Sequence, residues 1–135
     1  MSKEIKFRTW DRVNKKMGRL IKLTWDKDGN LNPPFDYSEI IHDDGSTYNG
    51  LIGADFIVMQ YTGIKDATGV EIYEGDIILF TFKTAGVHFT YKGKVIFEQF
   101  MFLVEIENGD CFSLNRISAI NLLGNIHENP ELLKQ

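Results

Sequence analysis

The sequence predicts a mainly β protein, and three observations carry that reading. Short runs alternate apolar and polar residues, as in Ile5-Lys6-Phe7-Arg8-Thr9-Trp10, which is the period of a half-buried strand. Glycine, asparagine and aspartate punctuate these runs at close spacing, marking turns rather than helix interiors. The chain also carries ten Phe, five Tyr and two Trp in 135 residues, and aromatic enrichment favours strands. Short strands with glycine turns suit a barrel or a sandwich. No fixed-period repeat is visible.

Taken in order, the first strand is Ile5 to Trp10, followed by a polar turn from Asp11 to Lys16. Met17 to Trp25 resumes strand character, with Met17, Ile21, Leu23 and Trp25 on one parity, and Asp28-Gly29 is a hairpin signal. Asn32-Pro33-Pro34 cannot sit inside a central strand, and His42-Asp43-Asp44-Gly45-Ser46 is a cluster of turn formers. A long excursion is therefore expected from about Asn30 to Ala54, with at most one short strand or helical turn. Phe56 to Tyr61 is a strand, Asp66-Ala67-Thr68-Gly69 a turn, and Ile77 to Phe82 a buried strand. Lys94 to Phe97 and Phe100 to Ile106 read as paired strands, and Asn108-Gly109 joins the second to Cys111–Leu114. Ile120 to Ile126 is apolar, broken by Gly124. Asn129-Pro130-Glu131 places an N-cap, a first-turn proline and an acidic residue ahead of a short terminal helix.

The net charge is −4 and the pI near 5.3, which argues against a broad phosphate-binding face but not a local one. The charge is unevenly spread. Lys3, Lys6, Arg8, Arg12, Lys15, Lys16, Arg19 and Lys22 stand among the first 25 residues with only Glu4 and Asp11 against them, a balance of +6. The other residues hold seven basic and 17 acidic side chains, a balance of −10. Phe7 and Trp10 lie within the basic stretch, so a positive, aromatic face is one expectation, and lysines guarding a solvated edge strand is the other. The opposed charges also suit self-association. The single cysteine, Cys111, excludes an internal disulfide and is expected to be a buried thiol. The N-terminus shows no signal-peptide pattern and no apolar run is long enough to span a bilayer, so the expectation is a cytoplasmic protein.

Four separated pieces carry a resemblance. They are Phe7-Arg8-Thr9-Trp10-Asp11, then Gln60-Tyr61-Thr62-Gly63-Ile64-Lys65-Asp66, then Glu71-Ile72-Tyr73-Glu74-Gly75-Asp76-Ile77, and last Gly124-Asn125-Ile126-His127-Glu128-Asn129-Pro130-Glu131-Leu132. In that order they resemble the YopX family of phage and prophage proteins. The resemblance implies a mainly β fold with an SH3-like barrel in its C-terminal part, and an origin in phages or prophages of bacteria. It implies no reaction and no catalytic residues. The expected division is residues 1–58, an N-terminal β-hairpin subdomain with a long loop, and 59–135, the SH3-like barrel.

The candidate sites each have a chemical and a mechanical reading. Glu71, Glu74 and Asp76 fall within six residues, and a carboxylate pair in a cleft could do acid–base work. The preferred reading is a structural turn, with Gly75 permitting the bend and Asp76 accepting backbone amides. Asp26-Lys27-Asp28-Gly29-Asn30 resembles the start of a calcium loop, but Leu31 and Tyr37 occupy the bend-glycine and closing-glutamate places. His42-Asp43-Asp44 matches no metal spacing with His88, His127 or Cys111. No nucleophile elbow, Walker loop or dinucleotide fingerprint is present. No metal or cofactor is expected. The expected role is a non-enzymatic binding module for a phage or host protein or for a second copy, through Arg8, Trp10, Arg12, Lys15 and Lys16, with Tyr61 and Tyr73 as secondary members. Single-stranded nucleic-acid binding by the same surface is the first alternative and an enzyme built on the acidic corner the second.

Overall fold

The computed structural model describes residues 5–22, 37–51 and 55–134. They fall into two compact units, Ile5–Gln60 and the residues from Tyr61 onward. The fold is mainly β, with eleven strands and two short 3-10 helices among the described residues.

The N-terminal unit holds β1 (Phe7–Asp11), β2 (Lys16–Lys22), β3 (Tyr37–His42), β4 (Thr47–Leu51) and the first half of β5 (Phe56–Lys65), all antiparallel, in the order β4-β3-β2-β1-β5. The long excursion expected before Ala54 is thus a hairpin in its later part. Tyr37 to His42 pairs with both β2 and β4, and Asp43-Asp44-Gly45-Ser46 closes the turn, Gly45 at φ +91. The Asp26–Asn30 turn, the Asn32-Pro33-Pro34 break and the Leu23–Trp25 end of the second expected strand lie outside the described residues. Alternation puts Phe56 and Ile40 on one face with Leu20, Tyr48 and Val58 packed around them.

In the C-terminal unit, β7 (Asp76–Thr84), β8 (Val87–Glu98), β9 (Met101–Ile106), β10 (Cys111–Ser113) and β11 (Ile117–Asn125) form an antiparallel sheet in the order β10-β9-β8-β7-β11. The second half of β5 pairs with β6 (Glu71–Tyr73). The expected SH3-like barrel reaches only as far as this five-stranded sheet. β10 and β11 are its two edges, and no ladder joins them. The core is Ile72, Ile78, Phe80, Val95, Val104, Leu114 and Ile120, with Tyr91 and Phe112 packed against it. Phe80 is fully buried, its ring centroid 5.9 Å from Tyr91 and 5.6 Å from Phe112.

One local expectation is corrected. Cys111 is exposed, not buried, because β10 is an edge and the residue stands on the face away from Phe112. The expected short C-terminal helix is present as a 3-10 helix, Pro130–Lys134. The Asn129 side chain ahead of it accepts the N–H of Asn125 (3.2 Å) and closes the end of β11.

Candidate functional site

Each piece that carries the family resemblance holds a carboxylate or amide that accepts at least one backbone N–H. Asp11 is fully buried at the end of β1. Its Oδ1 accepts Val13 N (2.9 Å) and Asn14 N (3.0 Å), and its Oδ2 accepts Asn14 Nδ2 and His42 Nε2, both at 2.7 Å. Asp66 takes Thr68 N, Thr68 Oγ1 and Val70 N on Oδ1, and Leu122 N from β11 on Oδ2. Asp76, 1% exposed, accepts Tyr73 N at 2.7 Å. Asn125 Oδ1 accepts His127 N and Glu128 N while its Nδ2 donates to Glu128 Oε1. Short side-chain acceptors reaching backbone amides two or three residues away are the chemistry of locked turns.

The acidic corner is built this way. Gly75 sits at φ +85, a region open to glycine at no steric cost. Its N–H donates to Val95 O and its carbonyl accepts Ile126 N, so the corner is stitched to β8 and to the residue after β11. Glu71 and Glu74 are half-buried, and Tyr73 Oη donates to Glu71 Oε1 at 3.3 Å. The corner lines neither of two concavities in this unit. The larger, about 780 Å³, runs between Tyr91, Lys92, Lys94, Glu105, Glu107 and Leu133. It balances two lysines against two glutamates and contains no histidine, cysteine or serine.

The densest polar cluster lies in the N-terminal unit and was not anticipated. His42, 4% exposed, bridges the β1–β2 turn to the β3–β4 turn. Its Nε2 faces Asp11 Oδ2 and its Nδ1 faces Ser46 Oγ, each at 2.7 Å. Ser46 Oγ gives its own proton to Asp44 Oδ1 (2.6 Å), which commits the hydroxyl to that carboxylate. Asp44 in turn pairs with Lys16 at 2.7 Å on the solvent side. Ser46, His42 and Asp11 are the residue types of a nucleophilic triad, but the proton of Ser46 points away from the imidazole. The neighbouring amides are also committed, Ser46 N to Asp44 Oδ1 and Gly45 N to His42 O, which leaves neither to hold an oxyanion. The cluster is a clasp between two turns. Among the described residues, no three His, Cys, Asp or Glu side chains stand together as metal ligands.

Burial would raise the Asp11 carboxyl, but the bonds from Asn14, His42 and Val13 outweigh it and hold it below the usual range. Asp66 is held at about 2, first by the Thr68 hydroxyl and then by the Leu122 amide. Asp44 lies well below the usual range through its bonds from Lys16 and Ser46. At Cys111 the thiol is pushed up by local desolvation and by the carboxylates of Glu105, Glu98 and Asp110, which disfavours the thiolate.

The basic and aromatic residues divide among three places. On β1, Arg8 and Trp10 point to the face opposite Thr9 and Asp11, and both are half-buried. Across the ladder Arg8 faces Arg19 and Trp10 faces Met17 on β2. On the other neighbour they face Met59 and Ile57, and the Arg8 guanidinium reaches Met59 Sδ at 3.9 Å. Arg12 and Lys15 are exposed in the turn, Lys15 at φ +56. Lys16 lies on the other face with Asp44. Tyr61 and Tyr73 belong to the C-terminal unit, where they are cross-strand partners with ring centroids 5.5 Å apart and Tyr61 is buried. Arg19 completes the Arg8–Trp10 face. The period-two register of the hairpin could have identified it.

A family model described as YopX protein matches residues 6–134. Among solved structures, the crystal structure of protein EF1440 from Enterococcus faecalis is similar at 27% identity and a TM-score of 0.61, covering 98% of this chain and 99% of that one. The crystal structure of YopX from Bacillus subtilis is similar in fold, at 19% identity and a TM-score of 0.57, again covering 98% and 99%. No curated protein matches the chain. No helix among the described residues is long and apolar enough to cross a membrane.

Proposed function

The chain belongs to the YopX family, and we propose that it is a non-enzymatic binding module of a phage or prophage, acting in the bacterial cytoplasm. One observation carries this reading. Arg8 and Arg19 are direct cross-strand partners on a half-exposed sheet face that also presents Trp10. Two guanidinium groups side by side on one face concentrate positive charge there, which suits an anionic partner. The carboxylates that would otherwise suggest chemistry are taken up by turn amides, which supports binding over catalysis. The partner that fits is a protein presenting an acidic patch with an apolar centre, so that the patch meets the two arginines and the centre meets Trp10, Met17 and Ile57. A five-stranded SH3-like sheet in the C-terminal unit serves in this reading as the scaffold.

Single-stranded nucleic acid is the second reading, favoured by the same alternation of guanidinium and indole, which can hold phosphate and stack a base. Salt titration with a labelled oligonucleotide separates the two. Polyanion binding weakens steeply between about 50 and 200 mM salt, and Arg8→Gln with Arg19→Gln flattens the slope. No retardation of any oligonucleotide at low salt removes the second reading. For the first, a tagged chain captures a protein that survives nuclease treatment, and Arg8→Glu with Arg19→Glu abolishes the capture without changing the melting temperature. Capture unaffected by that pair would overturn the proposal.

A further inference from the structure

Edge strands invite pairing, and folded proteins blunt them by shortness, bulges, proline or cover. Two edges of the C-terminal unit are treated so. β10 is three residues long. β11 slips register twice against β7, and the β5–β6 turn covers it, Ala67 N donating to Ile120 O at 2.8 Å and Leu122 N to Asp66 Oδ2 at 3.1 Å. A third edge is left open. β8 begins at Val87 but meets β9 only from Gly93 onward. Among the described residues no ladder joins Val87–Lys92 on the side away from β7, and the pairing with β7 runs through it without a slip. Val87, Phe89, Thr90 and Tyr91 are strong strand formers, the segment has no proline, and its one lysine, Lys92, stands at the inner end.

The direction of its main-chain groups follows from the turn. Ala85 and Gly86, at φ +49 and +78, make a two-residue turn between the ladder pair Thr84 and Val87. The pair that flanks such a turn exchanges both main-chain bonds, so Val87, Phe89 and Tyr91 turn their amides toward β7, and His88 and Thr90 turn theirs to the open side.

The side chains alternate. Phe89 and Tyr91 share a face with Phe82 and Phe112. Phe89 lies parallel to Tyr91 at 6.3 Å, Tyr91 lies against Phe112 at 5.3 Å, and Phe89 is 41% exposed. On the opposite face His88 is the cross-strand partner of Lys83, and both are exposed. From Ile77 to Phe97 there are three lysines and no acidic residue, in a unit whose residues 61–135 hold six basic and ten acidic side chains. Where β9 ends, the larger concavity opens against Thr90, Tyr91 and Lys92.

We propose that Val87–Lys92 is a strand-addition site, which takes an extended segment of a partner protein, apolar on the parity that meets Phe89 and Tyr91 and acidic on the parity that meets Lys83 and His88. A strand laid there continues the line of β9 for six residues, roughly 20 Å. Its main chain supplies affinity and its alternating side chains supply specificity. Two copies joined edge to edge would instead bring Lys83 and Lys92 of both chains onto one face, and like charges oppose that pairing. The site belongs to the C-terminal unit and does not rest on the Arg8–Arg19 face.

The probe is a peptide of about eight residues alternating valine and glutamate, titrated to about 1 mM into the full chain while amide resonances are followed by NMR. Saturable shifts are expected at His88 and Thr90, with a micromolar to millimolar dissociation constant. In the proposed register the glutamate nitrogens face the edge and the valine nitrogens point away. Methylating the glutamate nitrogens should therefore weaken binding by about tenfold or more, and methylating the valine nitrogens should leave it nearly unchanged. Thr90→Pro removes an outward N–H and should weaken binding to a similar degree, while the exposed Lys83→Glu should weaken it severalfold. The two methylated peptides keep the test independent of how Thr90→Pro folds. Absence of shifts at His88 and Thr90, or equal loss with either methylation pattern, would overturn the proposal. So would shifts at this arm with a single-stranded oligonucleotide and none with the peptide.

Discussion

Asp11→Asn is the most direct probe of the turn-lock reading. The wild-type carboxylate receives four donors, two on each oxygen, in a site with no solvent access. An amide has one acceptor oxygen. Whichever way it lies, its NH2 group confronts two donors, either the Val13 and Asn14 amides or Asn14 Nδ2 and His42 Nε2. A buried donor left without its acceptor costs about 1–3 kcal/mol. The exposed Asn14 side chain can turn to water and recover one, which brings the expected loss to about 2–3 kcal/mol. That is a large fraction of the roughly 5–15 kcal/mol that holds a domain folded. Urea denaturation followed by tryptophan fluorescence measures it, because Trp10 is adjacent on β1. Asp44→Asn, on the solvent side of the same network, serves as control and should shift the midpoint less. A loss below about 0.5 kcal/mol for Asp11→Asn would refute the clasp, since surface substitutions behave that way.

Further outcomes follow from the same geometry. Gly75→Ala forces a Cβ into φ +85 and should cost about 1–2 kcal/mol, measured as a lowered denaturation midpoint; an unchanged midpoint contradicts the turn reading of the corner. Gly124→Ala should destabilise through Asn129, whose Oδ1 would lie 2.5 Å from the new Cβ and would have to leave the Asn125 amide; unaltered hydrogen exchange at Asn125 argues against this. Asp11 and Asp66 have folded pKa values below their unfolded ones, so their contribution is present above about pH 4 and lost as pH falls toward 2; an acid titration of the denaturation midpoint should decline there, and less so for Asp66→Asn. Cys111 should label completely in the native protein, being exposed, but more slowly than a free thiol at pH 7; rapid labelling would contradict the raised thiol.

What was legible in the sequence is the set of elements whose signal is local. Ile77 to Phe82 and Phe100 to Ile106 announce strands by composition, and Asn108-Gly109 announces its hairpin, with Gly109 at φ +92. β3 and β4 were hidden because Pro33-Pro34 and the Asp43–Ser46 turn formers dominate their surroundings, although those same turn formers close the hairpin. The outer part of β8, Val87 to Gly93, carries a broken pattern because it is exposed on both faces near its tip. The Gln99-Phe100 turn has no turn signal at all, its conformation being imposed by the ladder from Gly93 to Ile106.

The site was legible only where one strand sufficed. Arg8 and Trp10 share a parity, and that can be read directly. That Arg19 faces Arg8 needs the register, and that His42 reaches Asp11, 31 residues away, needs the three-dimensional fold. His42 was considered for its sequence neighbours Asp43 and Asp44. Its partner is instead the Asp that ends the first family piece.

The account rests on a separation, with amide-bonded carboxylates keeping the turns and an arginine–tryptophan sheet face meeting the partner. Nuclease-treated capture from host cells, run side by side with wild type, Asp66→Asn and Arg8→Glu/Arg19→Glu at a temperature where all three are folded, tests it most directly. The account predicts the same captured protein for wild type and Asp66→Asn and none for the arginine pair. Capture lost with Asp66→Asn and kept with the arginine pair would contradict it.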